Sequence, residues 1–282
     1  MKRRLFHMLV ATALIGLACL AWGFFVEPHR LATRAITVKA DIPSPLRIVV
    51  LSDLHAGGNT TFAEDIAAAR SAVESLSPDL VLIAGDFIVG SEAAIARTRD
   101  DNAAIKAALA PLRGLSAPRG VYAVMGNHDH WYGTSTTEAI IDGLAIPRID
   151  NRKVEEGGLC VVGLGDEWEG RPDLGLVETC PSEAIRIVLT HNPDTILRLR
   201  TGFHLAVAGH THGGQVNLPV FGRVVTSTEA GKPYAYGLKH APGGPLYITS
   251  GIGTSILPAR FRAPPEVVLI RLVPQGSGRG GR

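Results

Sequence analysis

The sequence predicts an α/β fold with strands buried between layers, preceded by one helix that spans a membrane. Apolar runs of four to six residues alternate with helical stretches through residues 46–208, which is typical of βαβ units. After residue 214 the runs become short and are separated by Gly and Pro, which predicts a second sheet with antiparallel pairing. The membrane helix is predicted because residues 8–26 carry no charge.

The uncharged segment at residues 8–26 predicts a membrane anchor, since a helix of this length extends about 28 Å. A cleaved signal peptide is the alternative, but the run exceeds the usual apolar core of a signal and residues 21–23 (AWG) make a poor cleavage site. Basic residues before the segment favour export of the domain that follows. Arg30, Arg34 and Lys39 weaken this asymmetry and leave the side of the membrane open.

The composition is that of a globular chain of 282 residues, with 46% apolar residues, 19% charged residues and a net charge of +2. This small charge gives no basic face for nucleic acid. The predicted organisation is an anchor or signal at 1–26, a linker or first edge strand at 27–45, one domain at 46–273 and a disordered basic tail at 274–282.

The three cysteines, Cys19, Cys160 and Cys180, are too few for a disulfide framework. If the domain is exported, Cys160 and Cys180 could form a bridge. If it is cytosolic, they are buried thiols. The sequence leaves both alternatives open.

Polar residues follow each buried strand run, at the point where the run ends. They are Asp53, His55, Asp86, Asn127, His128, Asp129, His191, His210 and His212. The carboxyl ends of parallel strands meet at one edge of a sheet, so these side chains are expected to lie close together. Five of the ten histidines of the chain are among them.

This mixture of carboxylates and imidazoles suits Mn, Fe, Zn or Co better than Mg or Ca. One ion needs about four protein ligands, so seven or eight candidates imply two ions that share a bridging carboxylate, for which Asp86 is the natural choice. Two such ions clamp the attacking and leaving oxygens of an in-line displacement and lower the pKa of a bridging water. The predicted chemistry is phosphoester hydrolysis.

Five short motifs resemble, in order, the five blocks of the calcineurin-like metallophosphoesterases. They are Asp53-Leu54-His55, Gly85-Asp86, Gly126-Asn127-His128-Asp129, His191 and Gly209-His210-Thr211-His212. The resemblance covers residues 46–272 and implies a sandwich of two β-sheets flanked by helices.

The resemblance also implies a role for each site residue. The residues expected to hold one ion are Asp53, His55, Asp86 and His212. Those expected to hold the other are Asp86, Asn127, His191 and His210. His128 is expected to approach the scissile phosphate, where it stabilises charge or protonates the leaving oxygen, with Asp129 orienting it.

The anchor, the His191-Asn192-Pro193-Asp194 run and the GHTHGGQV stretch resemble the bacterial membrane-anchored branch of the family. That branch includes phosphodiesterases and enzymes similar to the hydrolase that splits the pyrophosphate of UDP-2,3-diacylglucosamine in lipid A biosynthesis. The resemblance therefore implies a single-pass phosphodiesterase or pyrophosphatase of the inner (cytoplasmic) membrane that acts on a lipid-linked substrate such as this one. Arg260 and Arg262 could meet the substrate phosphate or be solvated. Asp166 either touches substrate or only ends a strand.

Two alternatives stay open. A broad phosphodiesterase or phosphomonoesterase would act on soluble or wall-derived phosphates, and an inactive membrane-tethered binding protein would lack ligands or His128. A UDP-linked substrate requires a cytosolic domain, whereas the N-terminal charges favour export. Residues 150–183, with Trp168 and Arg171, are the segment expected to shape specificity.

Overall fold

Two β-sheets lie face to face, and helices cover their outer faces. The structure is a computed structural model that describes residues 2–58, 60–90 and 99–275. The α-helices are α1 (Lys2–Ala21), α2 (Ala63–Ser75), α3 (Arg99–Leu109), α4 (Asn127–Asp142) and α5 (Pro193–Arg198). This arrangement is the predicted sandwich flanked by helices.

The first sheet has the order β1-β13-β2-β3-β4. Its strands are β1 (Ala32–Ala40), β2 (Leu46–Leu51), β3 (Leu80–Ala84), β4 (Val121–Val124) and β13 (Glu266–Pro274). Strands β2, β3 and β4 run parallel, with α2 and α3 in the connections. Their carboxyl ends therefore lie at one edge of the sheet.

The second sheet has the order β11-β12-β8-β7-β6-β5. Its strands are β5 (Arg152–Glu156), β6 (Leu159–Gly163), β7 (Ile185–Leu189), β8 (Leu205–Ala208), β11 (Gly237–Ala241) and β12 (Gly244–Ile248). The four central strands are parallel, and the two edge strands pair antiparallel. A short hairpin of β9 (Asn217–Leu218) and β10 (Gly222–Arg223) stands apart from both sheets.

Three apolar clusters hold these layers together. One lies between the sheets and contains the inner-facing side chains Ile48, Leu82, Ile187 and Val207. A second joins the outer face of the first sheet to α2, α3 and α4. The third joins the outer face of the second sheet to α5 and the 3-10 segment Leu174–Thr179. Strands in both sheets are buried on both faces, which explains their nearly continuous apolar runs.

The late strands depart from the expectation that all of them would form the second sheet. Strand β12 does join the second sheet, but parallel to β8. Strand β13 instead enters the first sheet, parallel to β1 and antiparallel to β2. Its alternate side chains reach two different clusters, with Val267 packed toward the helices and Val268 toward the other sheet. A local apolar pattern identifies a strand, but it does not identify its partner.

Residues 27–45 were predicted to form either a linker or a first edge strand. The structure shows a strand, because β1 forms the edge of the first sheet over nine residues. A linker does not describe this segment. At the other end, Pro274 closes β13 and Gln275 N donates to Ala40 O. The rest of the predicted tail, residues 276–282, lies outside the described residues.

Helix α1 is exposed along its whole length and is long and apolar enough to form a single membrane span. It continues through a π-helical turn (Trp22–Val26) and a 3-10 turn (Glu27–His29) into β1. The buried Glu27 carboxylate accepts hydrogen bonds from Trp22 Nε1 at 2.8 Å and from Ala263 N at 2.7 Å. The base of the apolar helix is therefore fixed to the domain.

Cys160 of β6 is bonded to Cys180, twenty residues later. Of the two alternatives left open by the sequence, a disulfide or two buried thiols, the structure shows the disulfide. Cys19 is a free cysteine in α1. Closing a loop of this size stabilises a fold by about 3 kcal/mol. Disulfides persist in oxidising compartments, so this bond bears on the side of the membrane that the domain occupies.

Candidate metal centre

The seven predicted metal ligands lie together at the carboxyl ends of strands from both sheets. Asp53 and His55 follow β2, Asp86 follows β3, and Asn127 follows β4. From the second sheet, His191 follows β7, and His210 and His212 follow β8. All seven side chains are buried. The two sheets thus supply opposite walls of one site.

The first cluster consists of Asp53, His55, Asp86 and His212. The two imidazoles face each other with their Nε2 atoms 3.1 Å apart. Asp86 Oδ2 lies 3.5 Å from His55 Nε2, and Asp53 Oδ1 lies 3.5 Å from His212 Nε2. These distances resemble those between ligand atoms that share one ion, which are about 3.0–3.4 Å for bonds of about 2.1 Å.

The second cluster consists of Asp86, Asn127, His191 and His210. His191 Nε2 is its centre, at 3.2 Å from Asp86 Oδ2, 3.1 Å from Asn127 Oδ1 and 3.1 Å from His210 Nδ1. Asp86 Oδ2 therefore belongs to both clusters. The carboxylate, amide and imidazole donors of the two clusters would suit divalent cations.

The backbone at these ligands has an unusual conformation. Five of the seven have positive φ: 51° at Asp53, 47° at His55, 53° at Asp86, 69° at His210 and 50° at His212. Positive φ is uncommon for residues other than Gly and occurs at sites whose surroundings enforce it. Each strand here turns sharply at its end, and the turn directs the side chain toward the centre.

Two glycines let the backbone pack directly against ligands. A Cβ atom on Gly126 would lie 2.2 Å from Asp86 Oδ1, and one on Gly209 would lie 2.5 Å from Asp53 Oδ2. Real Cβ atoms do not approach other atoms this closely. Any side chain at either position would push a carboxylate out of its cluster.

Burial sets the protonation of the imidazoles. It lowers the pKa of His55 to about 3 and that of His210 to about 3, and it lowers the pKa of His212 as well. These rings are neutral at pH 7, as a metal ligand must be. At His191 burial is outweighed by the charge of Asp86, which raises the pKa to about 10. Cation binding is therefore expected to release a proton from His191.

His128 lies beside the shared carboxylate, with a ring nitrogen within 4.8 Å of the ligand atoms of His55 and Asp86. Its Nδ1 lies 2.6 Å from Gly90 O and 3.3 Å from Gly90 N. Because a carbonyl oxygen can only accept, the shorter contact assigns a hydrogen to Nδ1. Its Nε2 lies 3.2 Å from Ser255 Oγ. The ring is only partly buried and faces the cavity over the two clusters.

Asp129 does not orient the His128 ring as predicted. It occupies the third position of α4, and its carboxylate accepts hydrogen bonds from Gly126 N and Ile88 N, both at 3.0 Å. Burial raises its pKa to about 8. Its position at the start of the helix turns the side chain back onto the loop, so Asp129 holds the backbone that carries Asn127 and His128.

A cavity of about 560 Å³ opens above the clusters. Its floor contains Asp86, Asn127, His128, His210 and His212. Its walls are mostly apolar and include Trp131, Trp168, Val216, Val224, Val225, Ile256 and Leu257. The Trp131 and Trp168 rings lie 6.1 Å apart with an angle of 22° between them, and Trp168 meets the His210 ring edge-on at 4.6 Å. Apolar walls with a few polar groups at the floor are typical of a ligand site.

Arg260 cannot meet a substrate, which corrects its candidate role. Its side chain is fully buried and donates to the carbonyls of Gly253, Ala263 and Ser250. It fixes the loop of residues 250–263, which lies between β12 and β13. Arg262 is exposed and lies in a separate recess beside Arg34 and Arg223.

In the 150–183 segment, Trp168 lines the cavity, while Arg171 is exposed and absent from its lining. Asp166 is buried, and its Oδ2 accepts hydrogen bonds from Trp168 N at 2.9 Å and Glu169 N at 3.1 Å. Asp166 therefore positions the loop that carries Trp168, at the point where the strand ends.

Sequence reasoning missed Trp131, Ser255 and Gly90. Trp131 follows the Asn127–His128 motif by one turn of α4, a spacing that could have placed it over the site. Ser255 and Gly90 contact His128 from loops distant in the chain, and no local pattern signals such contacts.

Comparisons with known proteins found a matching family and several similar proteins. The family described as calcineurin-like phosphoesterase matches residues 46–214. The uncharacterized metallophosphoesterase YkuE of Bacillus subtilis is 30% identical over 95% of this chain and 94% of its own length. The phosphodiesterase YaeI of Escherichia coli is 29% identical over 96% and 99%. A Bos taurus transmembrane protein with a metallophosphoesterase domain is 28% identical over 67% and 46%.

Proposed function

This chain belongs to the calcineurin-like phosphoesterase family, and we propose that it hydrolyses phosphodiesters with two divalent cations held by the two clusters. It is a hydrolase of the metallophosphoesterase type. The observation that carries the two-cation proposal is the position of Asp86 Oδ2, which is 3.5 Å from His55 Nε2 and 3.2 Å from His191 Nε2. The metals that suit this donor set are Mn, Fe, Zn and Co.

Bound cations would polarise the phosphoryl group and lower the pKa of water at the site. The side chains of the chain supply the remaining chemistry. The water oxygen adds to phosphorus as the water loses a proton, the P–O bond to the leaving alcohol breaks, and the leaving oxygen takes a proton from His128 Nε2. Both ring nitrogens of His128 carry hydrogen before this transfer, and the proton that the water loses balances the one that the ring gives up. Because Nδ1 donates to Gly90 O, the ring presents only Nε2 to the cavity.

The substrate class that we propose is a phosphodiester on the exported side of the membrane. The Escherichia coli relative, which matches nearly end to end, is named a phosphodiesterase. The Cys160–Cys180 bond supports an oxidising compartment for the domain. UDP-2,3-diacylglucosamine requires a cytosolic domain, so the same bond counts against it.

Hydrolysis by the full-length protein in detergent tests the proposed activity. The chelator-treated protein is expected to be inactive, and Mn²⁺ is expected to restore cleavage of bis-p-nitrophenyl phosphate by about 10³-fold or more. Parallel assays would use p-nitrophenyl phosphate and UDP-2,3-diacylglucosamine. Faster cleavage of the UDP lipid would favour the lipid A hypothesis. No activity with Mn²⁺, Fe²⁺, Zn²⁺ or Co²⁺ would favour an inactive binding protein.

The side of the membrane can be tested in bacterial spheroplasts that produce the Cys19→Ser variant, in which only Cys160 and Cys180 remain. We expect added protease to digest the domain in intact spheroplasts. A maleimide is expected to label the denatured protein only after reduction, because both sulfurs are bonded to each other. A protected domain with two freely labelled thiols would place it in the cytosol.

A further inference from the structure

An exposed apolar surface borders the cavity. We define the apolar rim as Leu218, Val220, Phe221, Val224, Val225, Ile256 and Leu257. Val220 and Ile256 are fully exposed, and Phe221 is 75% exposed. Single exposed apolar residues are common on soluble proteins. A group of this kind on adjoining segments is typical of a surface that contacts a membrane or another protein.

Two segments build the rim, and Gln215 joins them. The first segment contains the β9–β10 hairpin, and the second contains residues 255–257. Gln215 Nε2 donates to Leu257 O at 2.6 Å, and Ser255 N donates to Gln215 Oε1 at 2.9 Å. Both segments also line the cavity, through Val224 of the first and Ile256 of the second. The rim is therefore one edge of the cavity mouth.

The base of α1 is attached to the two segments that build the apolar rim. Arg260 N donates to Gly23 O at 2.9 Å, only three residues beyond Leu257. Phe261 O accepts from Asn217 N at 2.8 Å, which connects the helix contact to the hairpin. Because a helix rises about 1.5 Å per residue, a bilayer that holds α1 must begin within a few turns of the rim. Trp22 and Phe25 are exposed at this level, as is typical of a membrane interface.

Cationic side chains lie near the base of α1 and near the β9–β10 hairpin. Arg30 stacks over the Trp22 ring at 5.2 Å, and Arg223 stacks over Tyr236 at 5.2 Å. Arg262 lines a recess next to Arg223, together with Arg34, which is paired with Glu266 at 2.9 Å. An apolar edge with cations beside it matches the layered chemistry of a bilayer surface, with acyl chains beneath anionic headgroups.

We propose that the apolar rim inserts into the bilayer that holds α1, so that the cavity opens onto the membrane and takes the phosphodiester of a membrane lipid. The phosphate would lie over the two clusters, and the apolar part of the lipid would lie along Trp131, Trp168 and Ile256. The substrate half of this inference rests on the proposed phosphodiesterase activity. The insertion half is independent of that activity and rests on the rim, its attachment to the base of α1 and the side chains typical of a membrane interface around it.

Insertion is tested with the full-length protein in nanodiscs of phosphatidylglycerol, phosphatidylethanolamine and cardiolipin. An environment-sensitive fluorophore is attached to Val220→Cys or to Glu156→Cys, each in a Cys19→Ser background. Glu156 is exposed beside the amino end of β6, opposite the cavity. Lipids with a spin label near the headgroup are expected to quench position 220 at least roughly twofold and position 156 not at all. Equal quenching at the two positions would overturn insertion.

The substrate half is tested with Val220→Ser/Phe221→Ser, since neither residue lines the cavity. We expect hydrolysis of the nanodisc lipids, followed by phosphorus NMR, to fall about tenfold, and hydrolysis of bis-p-nitrophenyl phosphate to stay within about twofold of the parent protein. Cleavage of the small diester by the parent protein without any lipid cleavage would overturn the lipid substrate. Failure on both substrates would instead overturn the proposed activity, while the quenching result would still stand.

Discussion

Asp86→Asn is expected to lower kcat/KM for bis-p-nitrophenyl phosphate by about 10³-fold or more, equivalent to about 4 kcal/mol of transition-state stabilisation. Asp86 Oδ2 lies 3.5 Å from His55 Nε2 and 3.2 Å from His191 Nε2, so it belongs to both clusters. An amide would supply no negative charge between the two proposed cations, so neither would be held as tightly. Elemental analysis of the purified variant is expected to find fewer than two metal ions per chain.

The Asn variant keeps the shape of the side chain, and its amide oxygen can still accept from His128 N, which lies 3.0 Å from Asp86 Oδ1. The fold is therefore expected to persist, as thermal denaturation would show. Asp166→Asn is the matched control, because Asp166 is a buried carboxylate that contacts Trp168 N and Glu169 N and lies outside both clusters. Two bound metals and activity within tenfold of the parent protein in Asp86→Asn would rule out a bridging role.

His128→Asn is expected to reduce kcat/KM by about 10²–10⁴-fold for a diester with two alkyl alcohols, such as glycerophosphoglycerol. An alkoxide needs a proton as it leaves, and His128 Nε2 is the imidazole nitrogen directed into the cavity. p-Nitrophenolate leaves without a proton, so the loss on bis-p-nitrophenyl phosphate is expected to be much smaller. The metal content should equal that of the parent protein.

Ser255→Ala is the control for this comparison, since it removes only the hydroxyl that lies 3.2 Å from His128 Nε2. We expect it to cost less than about tenfold on either substrate. Equal losses on the alkyl and nitrophenyl diesters in His128→Asn would mean that the ring stabilises phosphate charge and does not protonate the leaving group. An unchanged rate on both substrates would remove His128 from the reaction.

The strands around the site were predictable because each is a short apolar run buried on both faces. Their polar ends were predictable for the same reason, since Asp53, Asp86 and His210 each lie two residues after the end of such a run. The contacts of Asp129 and Arg260 were not predictable. Both side chains satisfy backbone groups of loops, and the same residue types occur in active sites with different partners.

The sequence by itself determined the βαβ order, the apolar N-terminal helix and the set of residues able to hold metals, because these depend on local apolar periodicity and residue chemistry. Only the tertiary structure decided that β13 pairs in the first sheet, that Cys160 is bonded to Cys180, and that Asp86 Oδ2 belongs to both clusters. It also decided that the helix base attaches beside the apolar rim. Each of these joins residues far apart in the chain, and such pairings are fixed by packing of the whole domain.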